Sequence, residues 1–324
     1  MWTHSTWTGS TGRMWICRLP EPVVPPPPGR AVPHTLSGVP MNGQRTLSLG
    51  FSPCPNDTFM FYPLVHGLVD TSGISYRERL EDVETLNRLA LAGALDVSKV
   101  SYHALGHIRD DYALLRAGSA LGRGCGPLLV ASRSIDPCDL GSQTIAVPGR
   151  YTTALLLLRL FNPGLTNFLV MPFNEIMDAV LRGDADAGLI IHESRFTYQG
   201  YGLRKLVDLG EWWEGETGLP IPLGGIVARR SLGGATIAAV ERALADGVAF
   251  ARSHPEQAAR YIGEHAQEMS REVCAAHIQL YVNDFSVDLG DEGVRAIHCL
   301  MERGERAGII PVSGAPLFCG EQHP

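Results

Sequence analysis

The chain has 324 residues, of which 45% are hydrophobic, 19% charged and 7% aromatic. That balance supplies core for one large or two ordinary domains and excludes a disordered, collagenous or coiled-coil chain. Acidic residues number 34 against 27 basic ones, a formal net charge of −7, so no basic field invites nucleic acid as a partner.

Lysine is scarce, occurring only at Lys99 and Lys205. The seven cysteines are scattered and never form CxxC, a pattern of reduced thiols and not of a disulfide framework or zinc knuckle. No apolar run is long enough to span a bilayer and no secretory leader is recognisable, so no stable membrane insertion and a cytoplasmic location are expected.

Residues 1–44 include Trp2, Trp7, Trp15 and prolines at 25–28 without helical or strand periodicity. They are expected to be a disordered extension, with Met41 a candidate translation start. A strand is predicted at 46–51, a helix at 55–68, a second helix at 83–92, a strand at 94–100 and a helix at 102–109. Glycines at 122, 124 and 126 mark a crossing. Strands follow at 127–131 and 143–147, then a helix at 152–161, a strand at 168–171, a helix at 174–181 and a strand at 187–191. An apolar stretch at 220–229 precedes helices at 237–253, 255–262, 271–282 and 292–307.

Alternating strands and helices predict α/β architecture with largely parallel sheets. Two groups of such units suggest two α/β lobes with a ligand cleft between them. Lobe 1 is expected to be discontinuous, from 45–130 and 226–324, and lobe 2 to span 131–225. Open α/β sheets bind ligands at strand carboxyl ends, and pockets favour domain interfaces.

Four segments fall at such places. The turn at 52–59 holds Cys54, Asn56, Asp57 and Thr58, which suit either a helix cap or a polar cleft wall. Nothing near Cys54 calls for a lowered thiol pKa, so it reads as structural. Lys99 and Ser101 end a strand and start a helix, where they suit an anionic substrate or an ordinary cap with a solvated lysine. Thr152 and Thr153 begin a helix whose amides and partial positive charge favour a carboxylate, with helix capping as a competing use of either hydroxyl that can coexist with binding. His192 ends an apolar strand, and imidazole titrates near neutrality, so it is either a general base or a satisfied structural histidine. His103 and His107 share a helical face but lack an evident third metal ligand, and read as structural.

The blocks SPCPNDTF at 52–59, DVSKVSYH at 96–103, GSALGRGCGP at 118–127, and GEWW at 210–213 with TGLPIPLG at 217–224 together resemble the 1,4-dihydroxy-6-naphthoate synthase family of the futalosine route to menaquinone. The likeness runs from about residue 45 into the carboxy-terminal helices, and Ser98 stands where threonine is more common. The resemblance implies a type II periplasmic-binding-protein-like fold and a lyase acting on cyclic dehypoxanthinylfutalosine, a small carboxylated substrate. It implies His192 as general base, Lys99, Val100 and Ser101 as one binding element, Thr152 and Thr153 as another, and neither a metal nor an organic cofactor. A chorismate dehydratase-like enzyme of the same pathway and a non-catalytic solute-binding protein are the alternatives. The oligomeric state is not legible.

Overall fold

The computed structural model describes residues 45–266 and 270–320. The extension expected over 1–44 lies outside the described residues. The chain starts with β1 (Arg45–Phe51), α1 (Pro55–Val65), β2 (Ile74–Leu80), α2 (Val83–Leu91), β3 (Val97–Ser101), α3 (Tyr102–Ile108), β4 (Tyr112–Leu114) and β5 (Ala120–Gly122). It continues through β6 (Leu128–Ala131), β7 (Ile145–Val147), α4 (Thr153–Phe161), β8 (Phe168–Val170), α5 (Ile176–Arg182), β9 (Ala187–Ile190), α6 (Ser194–Thr197), β10 (Arg204–Asp208) and α7 (Leu209–Thr217). It then returns as β11 (Ile221–Arg229) and closes with α8 (Gly234–Ser253), α9 (Ala259–His265), α10 (Arg271–Tyr281), α11 (Asp284–Val287) and α12 (Gly290–Arg306).

Two sheets result. The first has the order β2-β1-β3-β11-β4, with β5 also paired to β11, and the second the order β10-β6-β9-β7-β8. Both are mixed, which differs from the largely parallel expectation. The parallel pairs are β1 with β2 and β3, and β7 with β8 and β9. Antiparallel pairing enters where the chain changes sheets: β6 runs against β9, and the returning β11 runs against β3. The sequence-based borders after 130 and 225 fall inside β6 and β11, each of which belongs wholly to one sheet.

β3 is buried at every residue, as a central strand covered on both faces must be. Helix starts are set by local chemistry. Pro55 opens α1, where its missing N–H costs nothing. Asp82 caps α2 by accepting from the amides of Glu84 and Thr85. The long α8 packs against α1 over a core that includes Phe51, Phe61, Val240 and Leu244. α12 buries Ala296, Ile297, Leu300 and Met301 on one face, a helical period that docks it on the larger core containing Leu156 and Trp213.

The two crossings between sheets touch through glycine. A Cβ on Gly126 would stand 2.2 Å from the backbone nitrogen of Gly210, closer than any real side chain tolerates. The Leu209 amide also donates to the Pro127 carbonyl at 3.0 Å. Gly126→Ala is therefore expected to lower unfolding free energy by about 1–3 kcal/mol, the usual overpacking cost. Gly141→Ala, at a position with open space around its Cβ, should stay within about 0.5 kcal/mol of the parent in the same denaturant titration.

Candidate functional site

A cavity of about 720 Å³, counting space open to solvent, lies where the carboxyl ends of the two sheets face each other. Lys99, Ser101, Thr152, Thr153 and His192 all line it. Val100 does not, because its side chain is fully buried in the core and its neighbours pair with β11.

The first wall rests on the turn between β1 and α1. Asp57 is 1% exposed; its Oδ2 accepts from the amide and hydroxyl of Ser52, and its Oδ1 from the side-chain amide of Asn56 at 3.0 Å. Lys99 Nζ donates to the same Oδ1 at 2.6 Å. The scarce lysine thus brings no free positive charge to the cleft, since a fixed carboxylate compensates it. Asn56 Oδ1, in contrast, is buried on the cavity wall without a partner, an acceptor suited to a ligand hydroxyl or amide.

The second wall is the start of α4. Thr152 caps the helix by accepting from the Leu155 amide, and its own hydroxyl donates to the Gly149 carbonyl. The Thr153 hydroxyl accepts from the Tyr102 amide and donates to the Leu223 carbonyl. Both hydroxyls are engaged within the protein. What the cavity meets is the start of α4 at Thr153 and Ala154, whose amides have no intrahelical acceptor and sit at the positive end of the helix.

Across this wall the lobes are tied together. The Glu84 carboxylate on α2 accepts from the amides of Arg150 and Tyr151 at 2.9 and 3.1 Å. Asn87 donates to the Tyr151 carbonyl and the Ser101 hydroxyl and accepts from the Ser101 amide. His103 contacts the Thr152 carbonyl through Nδ1 at 3.2 Å. At the far side Arg195 donates to the Gly126 carbonyl and to Asp208, clamping both crossings.

His192 follows β9 with φ of 57°, a left-handed conformation uncommon for a residue with a side chain and maintained only by its surroundings. Its Nδ1 lies 3.4 Å from Cys54 Sγ, and its ring lies 5.0 Å from that of Phe173. Burial pushes its pKa down, against the opposing pull of Glu193 and Asp57, so the ring is neutral at neutral pH. Burial and the Asp57 charge push the Cys54 thiol pKa up, which keeps it a neutral thiol. His192 also lines a second chamber of about 490 Å³ with Cys54, Asp82, Phe173 and Glu193, and so stands between the two.

Sequence reasoning missed Glu84, Asn87, Arg195, His277 and Tyr281. His277 on α10 is 1% exposed, lines the cavity, and has both ring nitrogens unpartnered among the described residues. Its pKa is pushed down to about 3, chiefly by burial and then by His192. No spacing signal connects it to His192, because the helices of the carboxy-terminal region carry several other histidines.

Two outcomes are expected. Asp57→Asn leaves Lys99 buried beside a neutral amide and should cost about 3–5 kcal/mol in denaturant unfolding, whereas joint Asp57→Leu and Lys99→Met should cost less than the two changes summed. His103 has its pKa pushed down to about 4 by burial and by His107. Its folded pKa lies below the unfolded value, so its stability contribution is present above about pH 6.5 and lost as pH falls toward 4. His103→Asn keeps a donor near Nδ1, and should flatten stability against pH by about 1.4 kcal/mol per pH unit within that window.

A family model described as menaquinone biosynthesis matches residues 47–306. The chain is 53% identical over 272 residues to a 1,4-dihydroxy-6-naphthoate synthase from Thermus thermophilus, covering 84% of this chain and 98% of that one. It is 50% identical to a protein of the same name from Streptomyces coelicolor, over 83% and 96% of the two chains. A crystal structure of a protein from Archaeoglobus fulgidus superposes with a TM-score of 0.77 at 38% identity, covering 82% of this chain and 98% of that one. The alkanesulfonate-binding protein SsuA from Xanthomonas axonopodis pv. citri superposes with a TM-score of 0.61 at 14% identity over 84% and 96%, a likeness of fold alone. The fold is that of the type II periplasmic binding proteins, and the chain belongs to the menaquinone-biosynthesis family that includes the 1,4-dihydroxy-6-naphthoate synthases.

Proposed function

We propose that this protein is a carbon–carbon lyase that converts cyclic dehypoxanthinylfutalosine to 1,4-dihydroxy-6-naphthoate, with His192 as general base. The observation that carries the reading is the placement of the His192 imidazole after a strand end on the cavity wall, in a chain 53% identical to a synthase of that name. A general base must be unprotonated at working pH and within reach of the substrate. In the neutral ring one nitrogen carries the proton and the other supplies the lone pair that acts as base; Nδ1, at 3.4 Å, is the nearer of the two to the Cys54 thiol.

The rest of the cavity suits a carboxylated bicycle with a hydroxylated appendage. The free amides at the start of α4 take the carboxylate, next to Thr152 and Thr153. Lys99 and Ser101 form the facing wall, where Asn56 Oδ1 accepts from a ligand hydroxyl, and Val100 between them holds the strand in the sheet. Proton removal by His192 starts cleavage of the carbon–carbon bond, and formation of the aromatic ring drives it. These small-molecule contacts use side chains and amides of the protein alone.

His192→Ala should lower kcat by about 10²–10⁴ while substrate still binds, measured by turnover and by calorimetric titration of the inactive variant. Turnover at the parental rate would overturn the role of His192.

A further inference from the structure

Three donors meet at the seam between the two chambers. His192, Glu193 and His277 each present one ligand atom, and the three atoms lie within 4.8 Å of one another. His277 is almost wholly buried with neither ring nitrogen paired, and buried polar groups of that kind call for a partner. The side chain of Glu193, half-buried on the second chamber, makes no hydrogen bond or ion pair among the described residues. Burial favours the neutral form of both imidazoles, the form that coordinates metal.

We propose that His192, Glu193 and His277 form a binding site for a divalent transition metal of the zinc class, with its fourth position open to water or a ligand oxygen. Two imidazoles and one carboxylate are a donor set found around zinc with an open coordination position. Such donors select zinc, cobalt or nickel over the harder magnesium and calcium ions. Bonds of about 2.0–2.1 Å in a tetrahedron set neighbouring donors roughly 3.3 Å apart. Closing from within 4.8 Å to that spacing takes rotation of Glu193, which has no partner to release among the described residues, together with adjustment of the two imidazoles. A bound ion takes up a lone pair of His192. Resting on the general-base reading above, this makes the metal a reversible inhibitor that competes with proton abstraction.

The test titrates the full-length, EDTA-treated protein with Co²⁺ and follows its visible absorption. One equivalent should bind with a tetrahedral-type spectrum and no near-ultraviolet thiolate band, and His277→Ala and Glu193→Gln should each raise Kd at least tenfold. Glu193 is partly exposed, so its variant keeps the test informative if His277→Ala fails to fold. Absence of saturable absorption, a thiolate band lost in Cys54→Ser, or unchanged affinity in Glu193→Gln would overturn the site. In a second arm, Zn²⁺ should abolish turnover of cyclic dehypoxanthinylfutalosine and EDTA should restore it. Full turnover with the ion bound overturns the inhibition. A metal-free protein that turns nothing over contradicts the lyase reading, and the cobalt titration then decides the metal site by itself.

Discussion

The contact on which the cleft depends is the one Glu84 and Asn87 make from α2 to the backbone at 149–151. A carboxylate only 6% exposed is tolerable only when charge-assisted hydrogen bonds replace its water, and the amides of Arg150 and Tyr151 supply them. The requirement propagates. Glycine at 149 makes room for that carboxylate, because a Cβ there would lie 2.4 Å from Glu84 Oε2 and displace it from the two amides. With that loop fixed to lobe one, the start of α4 is fixed too, and the bonds from Tyr102 to Thr153 and from Thr153 to Leu223 continue the same seam. Arg195 performs the equivalent task at the crossings. The two lobes are thereby registered at both ends, and the cavity geometry is set before any ligand arrives.

The same economy runs through the cavity wall. Lys99 is matched by Asp57 and Arg195 by Asp208, while both threonine hydroxyls are spent on backbone groups. Groups already paired cannot swing toward a ligand, so they serve as a rigid frame. Among the described residues, the buried side-chain atoms of the wall left without a partner are Asn56 Oδ1 and the two ring nitrogens of His277. A site with few free groups on a fixed frame loses little to reorganisation, which is how preorganised polar sites act on developing charge. The proposed base gains from this frame, since burial keeps it neutral.

Much of this was legible in the sequence. The strand before His192 is apolar and ends abruptly, so its carboxyl end could be located, and Lys99 stood out because lysine is rare. The blocks shared with the naphthoate synthases were dense enough to imply the family and its fold. Glu84 and Asn87 were not legible, because polar residues on an amphipathic helix look like its solvent face until a second lobe covers them. The mixed sheets escaped for a related reason: the directions of β6 and β11, which run against β9 and β3, depend on where the crossings lead. His277 is distant in sequence from His192, and only the docking of α10 brings the two rings to 6.2 Å.

The most direct measurement is to incubate the purified full-length protein with cyclic dehypoxanthinylfutalosine, and separately with chorismate, and to identify the products by mass spectrometry. The account predicts 1,4-dihydroxy-6-naphthoate from the first and unchanged chorismate in the second. Consumption of chorismate with no dihydroxynaphthoate formed would contradict it.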